Sequence, residues 1–316
     1  MKAEFITPVA LDTKQGETCA ARIAERETGE SVSSVRYLGG GSFGKAYRVT
    51  HRNGNRIVVK FLRAPDMLKK EVFDLSLLAE HCSTKIPAVL FSHTADDRIP
   101  FDCYGMEEIE GKTVLKSRGM WLCSKQKKRD FALAVTRHQH SIHQCVSDRF
   151  GDTMNPTFDT WQACYRPFAE AILNHAERFR KDGKLSSKIF SVLSSAWEKF
   201  DLIFSEPVKQ AVLIHGDLNI GNIMVDHKKQ LSGFIDPLNC MYADVEYDLF
   251  QFDNFGKCFG LSNTYAAQYG VSRLWREKLA FYGLWNEVYC YMKSGVYVPV
   301  IMNPLLKNMQ KILCRL

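Results

Sequence analysis

At 316 residues, with 46% hydrophobic and 24% charged residues, the chain has an ordinary globular balance and enough surface to bury one large domain or two moderate ones. Its net charge of +7 is mild and diffuse, which suits anionic ligands but points to no nucleic-acid partner. No apolar run approaches the ~18 residues that span a bilayer, the first eight residues lack a signal-peptide core, and the ten cysteines include no C-x-x-C; the expectation is a cytoplasmic protein with reduced thiols, a monomer or weak dimer, and no membrane partner.

Residues 14–28 read as an amphipathic helix closed by Gly29. The pattern then turns to strand: Val35–Leu38, a glycine cluster, Lys45–Thr50, an Asn53-Gly54 hairpin turn, and Arg56–Leu62. A helix is predicted over 65–82, with Pro65 in its first turn and Met67, Leu68, Val72, Leu75 and Leu78 apolar. Strands at 88–92 and 103–109 complete an N-terminal lobe, residues 1–109. From residue 110 the pattern is mainly helical, with helices at 127–146, 158–181, 186–204, 242–258, 272–294 and 303–314. Short strands at 212–215, 223–225 and 233–236 interrupt them. A β-rich lobe followed by a helical lobe is a two-lobed α+β architecture, and a nucleotide is expected in the crevice between the lobes.

Three motifs carry chemistry. Gly39-Gly-Gly41-Ser42-Phe43-Gly44-Lys-Ala46 contains G-x-G-x-x-G between two strands. Missing Cβ atoms let backbone N–H groups approach phosphate oxygens, although such clusters also make plain hairpins. A Rossmann reading fails because a strand follows the glycines, and the P-loop pattern fails because Ala46 follows Gly44-Lys45. Sixteen residues beyond Gly44, Lys60 ends the apolar run Val58-Val59-Lys60. A buried ammonium there needs anionic partners: ATP phosphates, and a glutamate of the next helix, either Glu71 or Glu80. Third, His215-Gly-Asp217-Leu-Asn-Ile-Gly-Asn222 gives H-x-D-x-x-x-x-N between strands, with Asp236 in Phe234-Ile-Asp-Pro237. Asp217 is placed to accept a hydroxyl proton, Asn222 and Asp236 to ligate Mg²⁺, and His215 to organise the loop.

On these motifs the chain resembles the aminoglycoside phosphotransferase and choline kinase superfamily, which has the protein-kinase-like fold. The likeness runs from about Tyr37 to Phe250. It implies an ATP- and Mg²⁺-dependent phosphotransferase with a hydroxyl acceptor. It also implies adenine bound at a hinge by the Glu107 carbonyl and the Ile109 amide, with Met106 behind, and Asp248 bracing the catalytic loop; Asp248 also fits as a plain charge at a helix N-terminus. A protein kinase is disfavoured by Gly216 where such enzymes have arginine, by Pro237 after the metal aspartate, and by the lack of Ala-Pro-Glu. A specialised protein kinase and a nucleotide-binding pseudokinase scaffold are the alternatives.

His138, His140 and His143 look like a metal cluster but have no acidic or cysteine ligand at a recognised spacing, so a structural role is expected. Trp285, Tyr289 and Met292 share a helical face and are expected in the core, while Asn286 and Glu287 are candidates to touch substrate. From Val288 to Leu316 there are Lys293, Lys307, Lys311 and Arg315 and no acid. That balance argues against a polycationic antibiotic and for a sugar, a fructosamine-like adduct or another neutral or anionic metabolite.

Overall fold

Strand-forming runs, broken by a glycine cluster and by Asn53-Gly54, lie between two helical stretches in the first third of the chain, and they fold as an antiparallel sheet. The computed structural model describes residue 5, residues 8–41 and residues 43–316. It divides into an N-terminal unit that ends at Gly111 and takes in Ser232–Ile235, and a C-terminal unit of Lys112–Leu231 and Asp236–Leu316.

In the N-terminal unit helix α1 (Thr13–Thr28) is capped by Asp12, whose Oδ1 accepts from the Gln15 amide at 2.9 Å, and stops at Gly29 in the left-handed conformation. Strands β1 (Val32–Gly40), β2 (Gly44–His51), β3 (Arg56–Leu62), β4 (Val89–His93) and β5 (Cys103–Glu107) form one sheet in the order β1-β2-β3-β5-β4. Helix α1 buries Cys19, Ala20, Ile23 and Ala24 against Tyr47, Val49, Val59 and Phe61. The approach is close enough that a Cβ on Gly16 would lie 2.0 Å from the Tyr47 hydroxyl. Helix α2 (Leu68–His81) starts three residues later than predicted, because Asp66 adopts φ 60° and Pro65 lies outside the helix.

The C-terminal unit begins with β6 (Lys112–Thr113), α3 (Arg118–Trp121) and α4 (Lys125–His143). The strands β7 (Val146–Ser147), β8 (Phe150–Asp152) and β9 (Asn155–Phe158) follow, where no element was expected. Next come α5 (Trp161–Lys181), α6 (Ser187–Glu198), α7 (Phe200–Ile203), β10 (Ala211–Ile214), β11 (Ile223–Val225), β12 (Leu231–Phe234) and β13 (Met241–Ala243). The predicted helix over 186–204 is thus two helices interrupted at Lys199. The predicted helix over 242–258 is also wrong. Its segment holds the end of β13, a five-residue α8 (Val245–Leu249) and two 3₁₀ turns, with Phe255 at φ 56°. Helix α9 (Leu261–Tyr269), which was missed, precedes α10 (Trp275–Ser294) and α11 (Pro299–Leu313).

Strands β7, β10, β13, β8 and β9 lie side by side in that order. The helices enclose an aromatic core in which Trp161, Tyr165, Phe200, Phe281, Tyr282 and Trp285 are all at most 1% exposed. Trp285 stacks on Phe281 at 3.7 Å and donates to the Ala169 carbonyl at 2.9 Å, so the expected core role holds for it and for Met292, while Tyr289 is half-buried. Among the described residues no helix is long and apolar enough to cross a membrane.

Candidate active site

In the N-terminal unit the glycine cluster is the turn between β1 and β2, closed by the Gly41 amide on the Gly44 carbonyl at 3.0 Å. Ser42, one of the expected phosphate-contact residues, lies outside the described residues. Beyond the chain neighbours, no atom stands within 4 Å of the position a Cβ would take on Gly39 or Gly41, so space is open beside both glycines. Gly44 is required from within: a Cβ there would lie 2.7 Å from Lys60 Cε. Phe43 is half-buried and its carbonyl accepts from the Arg63 amide at 2.7 Å.

Strand β3 places Lys60 opposite Ala46 on β2 and Tyr104 on β5. Its Nζ lies 2.8 Å from Glu71 Oε2, which also accepts from the Tyr104 hydroxyl at 2.9 Å, and both charges are under 10% exposed. Glu71 is the partner, because its place in the first turn of α2 aims it at the sheet; Glu80 is exposed near the helix end. Met106 is buried at the end of β5, and the Glu107 amide is taken by the Ala88 carbonyl at 2.9 Å. Ile109, just beyond, is 5% exposed, and its amide makes no hydrogen bond among the described residues.

In the C-terminal unit the loop from His215 to Asn222 joins β10 to β11. Asp217 is held at both oxygens: Oδ1 accepts from Asn219 Nδ2 and Oδ2 from Asn222 Nδ2, each at 2.9 Å. Asn222 Nδ2 also bonds the Asp217 carbonyl at 2.8 Å, and the Gly221 amide donates to Asn219 Oδ1 at 2.7 Å. Burial and the neighbouring charge of Asp236 push the Asp217 carboxyl up to about 7. Asp236 follows β12 with φ 57°, a left-handed conformation that an aspartate tolerates better than most residues.

Asp248, on α8, is fully buried and grips the start of the loop. Its Oδ1 accepts from the Gly216 amide at 2.8 Å and its Oδ2 from the His215 amide at 3.3 Å. Gln139 and His143 Nε2 of α4 donate to the same Oδ2 at 3.0 and 3.1 Å. Burial works against the Asp248 charge, but the bonds and charge of His143 outweigh it and hold the carboxyl below its ordinary range. His143 Nδ1 meets the Tyr265 hydroxyl at 2.6 Å, which also reaches His140 at 3.1 Å. Two of the three histidines of the sequence cluster, His140 and His143, therefore belong to the bracing of Asp248. His215 is buried, with its Nδ1 3.4 Å from the Asp217 amide.

The sequence reading missed Asn219, Gln139 and Tyr265. Asn219 had a signal, since H-x-D-x-N places a second amide within reach of the aspartate; the other two meet the loop only through the fold. Asn286 is half-buried and Glu287 is 9% exposed, its carboxyl raised by burial. Neither makes a hydrogen bond or ion pair among the described residues.

The donor set fits a hard divalent cation. Asn222 uses its Nδ2 on Asp217, which leaves its amide oxygen for a ligand, and Asp217 and Asp236 are close enough for one charge to perturb the other. Among the described residues no group of three His, Cys, Asp or Glu could cage a metal. A cation held by one or two protein oxygens together with phosphates is the ordinary Mg²⁺ arrangement.

A family model described as the phosphotransferase enzyme family matches residues 34–282. Similar solved structures include a GDP complex of aminoglycoside 2'-phosphotransferase-IIIa, 18% identical with TM-score 0.68, covering 95% of this chain and 99% of that one. Another is described as a candidate fructosamine-3-kinase from Thermobifida fusca, 20% identical with TM-score 0.66 over 92% of this chain and 98% of its own. A third, 16% identical with TM-score 0.67 over 93% and 97%, is a thermostable variant of aminoglycoside phosphotransferase APH(4)-Ia with AMP-PNP and hygromycin B. The likeness is one of fold: an antiparallel-sheet unit followed by a helical unit, as in kinases. No curated protein sequence matches significantly.

Proposed function

The chain belongs to the phosphotransferase enzyme family, and on that footing we propose that it is an ATP- and Mg²⁺-dependent small-molecule kinase acting on a hydroxyl of a sugar-like acceptor. One observation carries the reading: a carboxylate clasped by two amides, Asp217 between Asn219 and Asn222, with the charge of Asp236 beside it. A pair of acids this close is relieved by a cation, and a cation so placed can in turn bind phosphate.

In this reading the N-terminal unit handles the nucleotide. The Ile109 amide and the Glu107 carbonyl take the adenine edge against Met106. Backbone N–H groups from Gly39 to Gly44 meet phosphate oxygens, and Lys60, held by Glu71, neutralises them. Asn222 and Asp236 hold Mg²⁺, which when bound neutralises charge on the transferring phosphoryl group. Asp217 accepts the hydroxyl proton as the acceptor oxygen bonds the γ-phosphorus and the bond to the β-bridging oxygen breaks, releasing ADP. His215 and Asp248 hold the loop.

The names of the structural neighbours favour acceptors that are sugars or carry them, fructosamine adducts and aminoglycosides among them. The acid-free, cationic stretch from Val288 to Leu316 favours the less cationic of these. Asn286 and Glu287 are the residues to change first in mapping acceptor contacts. Mg²⁺-dependent ATP consumption with a panel of sugars, fructosamines, amino alcohols, aminoglycosides and macrolides, read by mass spectrometry of the phosphorylated product, tests the assignment. Asp217→Ala should lower turnover by about 10²–10⁴-fold with nucleotide binding retained. Near-normal turnover in that variant, or phosphate appearing only on protein, would overturn the reading.

A further inference from the structure

Asp248 can hold the loop only if its own helix is fixed, and α8 is too short to fix itself. It has five residues, whereas an isolated helix below ~12 residues is marginal in water. A buried ionic cluster outside the loop pins it. Lys278, in the first turn of α10, bridges Asp244 Oδ2 at 2.5 Å and Glu246 Oε2 at 2.6 Å. Asp244 is the N-cap of α8 and accepts the Glu246 amide at 3.1 Å. It also accepts the Tyr282 hydroxyl at 2.8 Å, which in turn accepts from Trp161 Nε1 at 2.7 Å. Glu246 accepts the amide and hydroxyl of Ser272 at 2.6 and 2.9 Å. Lys278 is 3% exposed and both acids 2%.

Three buried charges are an expensive way to gain stability, because a well-packed apolar plug of the same volume generally serves as well or better. What the cluster adds is direction. Two carboxylates, one at the N-cap and one in the first turn of α8, both bound to one ammonium on α10, fix the helix in rotation and along its axis. Two residues past Glu246 the same turn presents Asp248 to the His215 and Gly216 amides.

We propose that Lys278 is a positioning residue for the phosphotransfer loop: by bridging Asp244 and Glu246 it sets α8, through α8 the grip of Asp248, and through that grip the place of Asp217. The role of Asp217 rests on the function proposed above, but the restraint on the loop can be measured without turnover.

The test is a charge-balanced double variant, Lys278→Met/Glu246→Gln. The native cluster holds one positive and two negative charges; the variant keeps one negative, so the net buried charge stays at minus one while the bridge is gone. The variant should fold and bind ATP with an affinity within about twofold of the parent. Amide exchange at His215 and Gly216, followed by mass spectrometry or NMR, should speed up about tenfold or more. The kcat should fall about tenfold or more with the KM for ATP unchanged, since a small misplacement of the reacting carboxylate costs rate rather than nucleotide binding. Native exchange rates in the folded variant would overturn the proposal. Failure to fold would also overturn it, because Lys278 would then serve stability alone. If no variant and no parent shows turnover, the kinase reading falls while the exchange result still decides on Lys278.

Discussion

Gly216 sits where protein kinases have a catalytic-loop arginine, and the structure states the physical reason. Its φ is 78°, and a Cβ on it would lie 2.3 Å from the Leu238 carbonyl oxygen and 2.6 Å from that of Asn239. Gly29 has nearly the same φ, 71°, but nothing within 4 Å of its Cβ position. Alanine at either site meets the left-handed penalty of about 1–2 kcal/mol. At Gly216 it must also displace backbone by about 1 Å in a closed turn, which adds roughly 1–3 kcal/mol by analogy with overpacked cores. Gly216→Ala should therefore cost about 2–5 kcal/mol in urea unfolding and Gly29→Ala about 1–2. Because the Gly216 amide is the donor to Asp248 and precedes Asp217, Gly216→Ala should also lower kcat about 100-fold while Gly29→Ala leaves it alone. Equal unfolding free energies for the two variants, within 1 kcal/mol by the same assay (about the error of such comparisons), would refute the steric argument.

Glu71→Gln removes one carboxylate that holds the Lys60 ammonium and should raise the KM for ATP about tenfold or more; Tyr104→Phe removes one hydrogen bond to the same carboxylate and should cost only about 1 kcal/mol of stability. An unchanged KM in the glutamine variant would deny Lys60 its phosphate role. Asp217 titrates at about 7 in the fold against an ordinary 3.8, so its protonated form is the one the fold favours: that contribution is complete below about pH 4 and is lost as pH rises through 7. In protein free of metal and nucleotide, Asp217→Asn should then be more stable than the parent at pH 8 by about 2–4 kcal/mol, after a discount for partial exposure, with the gap closing at pH 4. Thermal melts that show no pH-dependent gap would show that Asp217 ionises freely.

Much of the N-terminal unit was legible because its order is local. Alternation marked β2, a nearly unbroken apolar run marked β3, Asn53-Gly54 marked the turn between them, and Gly29 marked the end of α1. The hairpin of β7 to β9 was not legible for the opposite reason. Its strands are two to four residues long; β7 and β8 exist because β10 and β13, more than sixty residues on, supply their hydrogen-bond partners, and β9 pairs in turn with β8. The stretch 242–258 failed differently. Its composition reads as helix, yet Gln251 turns inward to donate to the Gly216 carbonyl at 3.2 Å, and Asn254 donates to the Gln251 side chain at 2.7 Å. Those side chains bind the loop at the expense of regular helical geometry, so local propensity gave the wrong answer.

The site shows the same division at finer grain. Spacing alone picked out Asp217, Asn222 and Asp236 as candidates, the first two in the loop between β10 and β11 and the third just past β12. Spacing could not name what aims them. Lys278, Gln139 and Tyr265 fall in no motif and at no spacing that marks them. Their importance comes from burial: once Asp248 is cut off from water, each of its acceptor sites needs a donor, and the fold recruits these from α4 and from the backbone of the loop itself. The same requirement one turn earlier in α8 draws in Lys278, Tyr282 and Ser272. Candidate reacting groups are thus visible in this sequence because they recur at fixed spacing along the chain, whereas the groups that hold them answer to satisfaction of buried charge, which only the folded chain defines.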